Sequence, residues 1–373
     1  MKVPFLRPQL PLLADVAPYF RLSEEARFYS NGGPCERLLR ERLSEYLGDA
    51  TAIPVNNATN GIMVALLGSA HRAGTRDRPL VVTPSYTFAA TAGAVDALGH
   101  RPLFVDVDPD GWQVDPDALE ATLAEHADDV AAVLVTHTFG VPPAAGLQDR
   151  WRAACTAHGV PLVVDAAAGF GAVDADGART GSGADTHVFS FHATKPFGVG
   201  EGGAITTRDA ELAAAYDGIR QFGFAQDRVV SLPGLNAKLD ELHAAVALAV
   251  LDGFPSVLKA RRDVAEHYRT HLEPVGFRFQ TGSAGGTWQA GYVQAPDAAT
   301  RAAVLLAGRE HGVGITAYYE RPLHRHPAFA GALVHGDLAV TERLAAGALA
   351  LPMANDLTEA EQARVVEVVL GAL

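Results

Sequence analysis

"VFSFHATKPFGVGEGGAITT", residues Val188 to Thr207, joins two runs of strand-forming residues through a bend that holds a lysine. The chain has four lysines, at positions 2, 195, 238 and 259. The default place for such a residue is the solvated surface, its stem lying along apolar neighbours. Lys195 instead follows Phe189 and Phe191, precedes Phe197, and stands just ahead of Gly198, Gly200, Gly202 and Gly203. An amine held against apolar neighbours tends to lose its proton, and a neutral amine is a nucleophile toward carbonyls. The stretch therefore asks whether Lys195 forms a Schiff base. It also predicts two strands in close succession about a bend, so part of the sheet they belong to is antiparallel.

Working outward, residues 50 to 250 alternate short β-rich apolar runs with helical patterns, which predicts a layered α/β domain. The runs are "TAIPV", "PLVVT", "RPLFVDV", "AAVLVTH", "PLVVDAA", "THVFSF" and "GGAITT". Helical patterns fall between most of them, at Asn60 to Ala70, Phe88 to Leu98, Pro116 to His126 and Leu147 to His158. The expected sheet is mixed and mostly parallel. From Leu239 the pattern changes to two long helices, "LDELHAAVALAVLDGF" and "PSVLKARRDVAEHYRTHL", separated at Gly253 and Pro255. A strand-like "TWQAGYVQA", a helix around "TRAAVLLAGREHG" and a last helix from Thr358 follow. The reading is a large α/β domain over residues 1–245 and a smaller α+β C-terminal domain over 246–373.

Composition excludes several classes. Of 373 residues, 48% are hydrophobic and 20% charged, an ordinary globular balance. A net charge of -13 argues against nucleic acid as a partner, because neutralising phosphates needs basic surface. The N-terminal "MKVPFLRPQLPLL" places Pro4, Pro8 and Pro11 inside what would have to be a signal core, and no other segment reads as a membrane span. A cytoplasmic protein with no membrane partner is expected. Cys35 and Cys155 are too few for a disulfide framework. Among the histidines, His324 and His326 form the only close pair and lack a carboxylate or cysteine at ligand spacing, so no metal is expected.

Three strand ends carry polar residues, and in open α/β sheets ligands collect beyond such ends. After "TAIPV" the turn "NNATNGIM" opens into a helix, where backbone N–H groups near Thr59 and Asn60 and the Thr59 hydroxyl face a phosphate. The plainer alternative is that Asn57 or Thr59 caps the helix. After "PLVV" comes Asp165, a carboxylate that needs a cation or strong donor at the end of a buried strand; a protonated pyridine nitrogen is one candidate, a cap or salt bridge another. Ser190, five residues before Lys195, reaches toward the same phosphate as Thr59. Together, a Schiff-base lysine, a carboxylate for a pyridine nitrogen and a helix N-terminus for a phosphate are the fittings of pyridoxal 5'-phosphate.

The lysine segment resembles that of the DegT/DnrJ/StrS family of sugar aminotransferases. The resemblance runs along the chain through "NNATNGIMVALL", "VTPSYTFAATAGAV", "PLFVDVDPDGWQVDP", "VTHTFG", "VVDAAAGFGA", "GLNAKLDELHAAVAL", "YYERPLH" and "LALPM". It implies the fold-type I architecture of pyridoxal phosphate enzymes. By position, Lys195 matches the lysine bonded to the cofactor, Asp165 the partner of the pyridine nitrogen, and Phe88 an aromatic over the ring face. Thr59, Asn60 and Ser190 match phosphate-binding positions. Asn236 matches a residue reaching the phosphate of the neighbouring subunit, which implies a homodimer with shared active sites. Tyr319 and His324 fall where relatives approach a nucleotide sugar. Three residues after the aspartate the family often has Gln or His, where this chain has Ala168.

The resemblance further implies L-glutamate as amino donor and a dTDP-linked keto-deoxysugar as acceptor, with C4 favoured over C3, in deoxyamino sugar or antibiotic biosynthesis. Two rivals stand beside it. Some relatives dehydrate sugars, but with a histidine in place of the lysine; others of the family were once taken for regulators, so a non-catalytic sensor that only binds the cofactor is the second. Lys195 argues against the first, and the set Lys195, Asp165 and Asn236 against the second.

Overall fold

A computed structural model describes residues 2–224 and 228–373. The strands are β1 (Thr51–Val55), β2 (Leu80–Pro84), β3 (Arg101–Val105), β4 (Val130–Thr136), β5 (Leu162–Asp165), β6 (Thr186–Ser190), β7 (Gly203–Thr207), β8 (Gly291–Gln294), β9 (Leu333–Val334) and β10 (Ala348–Leu351). The helices are α1 (Leu13–Ala26), α2 (Pro34–Tyr46), α3 (Ala58–Ala73), α4 (Ala89–Ala97), α5 (Pro116–His126), α6 (Leu147–Ala157), α7 (Ala210–Ile219), α8 (Glu241–Leu272), α9 (Ala298–His311), α10 (Ala339–Gly347) and α11 (Glu359–Leu370). Eight strands form one sheet in the order β1-β7-β6-β5-β4-β2-β3-β9. Strand β7 is antiparallel to both its neighbours, β1 and β6. The remaining pairs, from β6 across to β9, are parallel. The mixed sheet expected from the lysine bend is therefore present, with β6 and β7 as its two arms.

Both faces of this sheet are covered, so its strands are apolar throughout and not alternating. Along β4, Val133 and Val135 belong to one core, shared with Leu39 of α2, Trp151 of α6 and Leu248 of α8. Ala132 and Leu134 belong to the opposite core, with Ile62 of α3, Val95 of α4 and Tyr216 of α7. The same alternation orients the strand ends that matter for chemistry. Val163 and Val188 lie on the α3 side; two residues on, Asp165 and Ser190 project to that side as well.

Helix α8 differs from the sequence expectation. It runs unbroken through Gly253 and Pro255, and residues 245 and 246, the expected domain boundary, lie within it. An interior proline removes a backbone hydrogen bond and costs roughly 3 kcal/mol. Against that, the buried stripe Leu248, Leu251, Phe254 and Leu258 keeps helical spacing across the proline, and burying each such side chain is worth about 1.5–3 kcal/mol. The stripe outweighs the proline. Contrary to the expectation that no segment could span a bilayer, α8 is long and apolar enough to do so; here its apolar face is buried against α1 and α2.

The C-terminal half of α8 joins a separate core with α9, α11 and the antiparallel pair β8–β10. The N-terminus belongs to this layer too, through backbone bridges from Val3 to Val313 and Leu6 to Met353. Conversely β9, from the C-terminal part of the chain, completes the edge of the large sheet beside β3.

Candidate active site

The lysine bend is built by backbone hydrogen bonds that fold residues 191–202 on themselves: Val199 N donates to Phe191 O at 2.8 Å, Ala193 N to Gly200 O at 2.8 Å and Lys195 N to His192 O at 2.8 Å. Gly198 is required by close approach, because a Cβ there would lie 2.7 Å from Ala193 O and 3.0 Å from Lys195 O. Phe189, Phe191 and Phe197 do not surround the lysine as the sequence suggested. They are buried in the core on the far side of the sheet, around Phe170. Lys195 turns the other way.

There it lines a cleft of about 900 Å³ with Asn57, Thr59, Asn60, Phe88, Ser190 and Tyr319. A smaller inner chamber of about 60 Å³ opens beside Lys195, Phe88 and Tyr319 and is floored by Asp165 and Ala168. The carboxyl ends of β1, β2, β4, β5 and β6 converge on these two spaces, the region where the fold concentrates ligand chemistry.

Asp165 is buried at the end of β5. One carboxylate oxygen accepts from Thr91 Oγ1 at 2.7 Å and the other from Ala167 N at 3.1 Å. Burial nevertheless holds its pKa above the usual carboxylate value, against the pull of those bonds and of the Lys195 charge. This is a carboxylate short of a counter-cation. The Lys195 amine donates to Gln289 Oε1 at 2.9 Å. Loss of water around it lowers its pKa to about 8, although the Asp165 charge pulls upward. At pH 7.5 roughly a quarter of such an amine is neutral, against about a thousandth for an ordinary lysine.

Asn57 caps α3, its side chain accepting from Asn60 N at 2.8 Å. The capping alternative thus holds for Asn57 and takes up the Asn60 backbone donor, while the Asn60 side chain donates to Asn56 Oδ1. Ser190 Oγ accepts from His192 N at 3.3 Å. Gly203 lets α3 approach the bend, since a Cβ there would meet Phe189 O at 2.5 Å and Ala58 N at 3.2 Å. Phe88 is exposed at the cleft wall, with 59% of its surface accessible. Tyr319 stacks on Phe139 at 5.1 Å between ring centres.

Two further residues named from the resemblance lie outside this cleft: His324, expected near the nucleotide sugar, and Asn236, expected to reach the site of a neighbouring subunit. Asn236 is exposed, outside the cleft of its own chain, and its side chain accepts from Lys238 Nζ at 2.5 Å. His324 has both ring nitrogens engaged, with Ser85 Oγ at 2.8 Å and Glu342 Oε1 at 2.7 Å, and does not line the cleft. Thr91 and Gln289 contribute to the site without having been expected. A threonine inside the alanine-rich "FAATAGAV" and a glutamine inside "TWQAGYVQA" were the available signals. Away from the cleft, Glu125, His126 and His335 bring potential ligand atoms within 4.8 Å of one another, a grouping made by the fold and not by sequence spacing.

The model of the DegT/DnrJ/EryC1/StrS aminotransferase family matches residues 14–370. The chain belongs to this family. It is 38% identical over 378 residues to the Mycobacterium tuberculosis protein MT3510, covering 100% of this chain and 90% of that one. It is similar to the crystal structure of DesI in the presence of its TDP-sugar product, at 34% identity and a TM-score of 0.88 over 100% of this chain and 93% of that one. It is also similar to NtdA from Bacillus subtilis with bound cofactor PMP, at 26% identity and a TM-score of 0.86, covering 100% of this chain and 85% of that one. The architecture is the α/β fold of type I aminotransferases, and the cofactor is pyridoxal 5'-phosphate. The family member described here fits that group on its own geometry: a buried carboxylate lacking a counter-cation and an amine of lowered pKa share one cleft with the N-terminus of α3.

Proposed function

We propose that this chain is a nucleotide-sugar aminotransferase that moves the amino group of L-glutamate to a keto group, at C4 in preference to C3, of a dTDP-linked deoxysugar. The observation that carries the reading is the pairing of the Lys195 amine, with its pKa lowered to about 8, and the buried Asp165 in one cleft. Kinship with DesI, whose structure was obtained with a TDP-sugar product, supports the nucleotide sugar.

The bound cofactor supplies an electron sink and carries the amino group between the two half-reactions. Asp165 would hold a proton on the ring nitrogen, and Thr91 and the Ala167 amide keep that carboxylate oriented. Lys195 would take the proton from the donor's Cα in one half-reaction and deliver one to the sugar carbon that gains the amino group in the other, a role its partly neutral state suits. Phe88, exposed at the cleft wall, would cover the ring. Thr59, Ser190 and the amino end of α3 would bind the phosphate, with Asn60 placed by its bond to Asn56. Tyr319 lines the wall that the sugar approaches, and His324, fixed by Ser85 and Glu342, supports the loop that carries Tyr319.

Asn236 serves the site of a second copy. Its exposure supports this, as do the neighbouring exposed aromatics Phe28, Phe222 and Phe224, which border a surface cavity of about 940 Å³ with Lys238. The reading includes a homodimer working in the cytoplasm. Incubating the protein with L-glutamate and a panel of dTDP-keto-deoxysugars tests it by mass spectrometry of the nucleotide sugar and assay of 2-oxoglutarate. Amination of a 4-keto substrate ahead of its 3-keto isomer is expected. No amination of any member, with the cofactor bound, would overturn the substrate assignment.

A further inference from the structure

The segment Thr287–Gln289 reaches from the C-terminal layer into the catalytic cleft, and it is held at every residue. Thr287 Oγ1 donates to Ala168 O at 2.5 Å. The Trp288 carbonyl accepts from the buried Arg261 of α8 at 2.9 Å, and the Gln289 carbonyl takes a longer bond from the same nitrogen at 3.4 Å. The Gln289 side chain then closes a small ring of contacts: Oε1 accepts from Lys195 Nζ at 2.9 Å and Nε2 lies 3.2 Å from Thr194 Oγ1. An ammonium only donates, so the carboxamide oxygen faces it, which leaves the amide nitrogen against the Thr194 hydroxyl, a group able to accept. Gln289 borders both the outer cleft and the inner chamber floored by Asp165.

We propose that Gln289 is the positioning residue for Lys195 whenever its amine is free, fixing the nitrogen at the mouth of the inner chamber and tying its placement to the C-terminal layer. The inference rests on Lys195 being the cofactor lysine. A lysine released from the cofactor has four rotatable bonds and would otherwise sample the whole cleft. Holding one N–H on Gln289 leaves the remaining valences of the nitrogen directed elsewhere in the cleft, where a donor's Cα would lie. When the amine takes a proton, the ammonium donates to the same oxygen, and charge-assisted bonds are stronger than neutral ones. Gln289 therefore favours the protonated lysine alongside Asp165, against the burial that lowers its pKa, in a cleft whose other titratable groups include Tyr319, Glu201, Asp240, His192 and His243.

The test uses cofactor-stripped full-length protein and the rate at which added pyridoxal 5'-phosphate restores the yellow absorbance, measured across pH. In the wild type this rate should rise with pH as the neutral amine forms, with a midpoint near the lysine pKa of about 8. Gln289→Leu removes the acceptor and should lower the midpoint by about one pH unit, the worth of one hydrogen bond to a charged group. Gln289→Glu keeps the shape, adds a negative charge and should raise it by about one unit or more. Opposite shifts in the two variants, with native circular dichroism, establish the role. A Gln289→Glu midpoint equal to wild type would overturn it, and that conservative variant decides the matter even if the leucine variant fails to fold. A parallel Lys195→Ala arm separates the underlying reading: recovery of the same pH-dependent absorbance without Lys195 would show that another lysine is involved.

Discussion

Asp165 is buried, accepts two hydrogen bonds, and still has a raised pKa, so its surroundings stabilise the charge less than water does. Among the described residues the Thr91 hydroxyl is the one side-chain donor to it, and a hydrogen bond to a charged group is worth roughly 1.5–3 kcal/mol. Thr91→Val, of similar shape, should therefore reduce kcat by about 10-fold or more while the cofactor remains bound, because Asp165 then holds the ring-nitrogen proton less firmly. A kcat within twofold of wild type would show that the Ala167 amide suffices. Asp165 and Lys195 could be singled out in sequence as polar residues at a strand end and in a strand bend, beside the plainer readings of a cap, a salt bridge or a surface lysine. Only their combination and the family resemblance weighed toward a cofactor. Thr91 could not be singled out, because a threonine in a helix carries no mark of the carboxylate it faces across the fold. The lysine's phenylalanine neighbours misled for a related reason: alternation along β6 sends Phe189 to the opposite face from Ser190.

At the scale of elements, the lysine bend depends on a glycine that has no room for a side chain. Gly198→Ala would press a methyl group against two backbone carbonyls, which cannot rotate away as a side chain does. The expected result is a stability loss of about 1–3 kcal/mol in urea titration. Cofactor recombination should slow because Lys195 is displaced, while the circular dichroism stays native. Gly253→Ala is the contrasting change: on the exposed face of α8 its Cβ meets nothing within 4 Å, so stability should rise by up to about 1 kcal/mol. Full activity in Gly198→Ala, or a loss in Gly253→Ala, would contradict these assignments. The α/β alternation, and with it the sheet, could be read from the runs of valine and leucine because a sheet covered on both faces writes itself as uninterrupted apolar strands. Helix α8 could not be read as one piece, since Gly253 and Pro255 are local signals and the stripe that overrides them becomes visible only once its partners are in place.

The whole molecule is where the proposed shared site is decided. If Asn236 completes the cleft of a second copy, Lys195→Ala and Asn236→Asp are lesions of one site on different chains. Co-refolded, the two inactive variants form about half mixed dimers, each with one intact site, so roughly a quarter of wild-type activity should return under a two-fold arrangement. No gain over the separate variants, with mixed dimers shown by native mass spectrometry, would place both residues in a single-chain site. Beneath that question lies the central one, whether the cleft around Lys195 transaminates at all. The most direct measurement adds L-glutamate alone to the cofactor-loaded protein and follows the absorbance together with keto acid released. The yellow band should be lost while 2-oxoglutarate appears, one equivalent per site and no more without a sugar acceptor. A band that persists with no keto acid formed would make this chain a cofactor-binding sensor and contradict the enzyme described here.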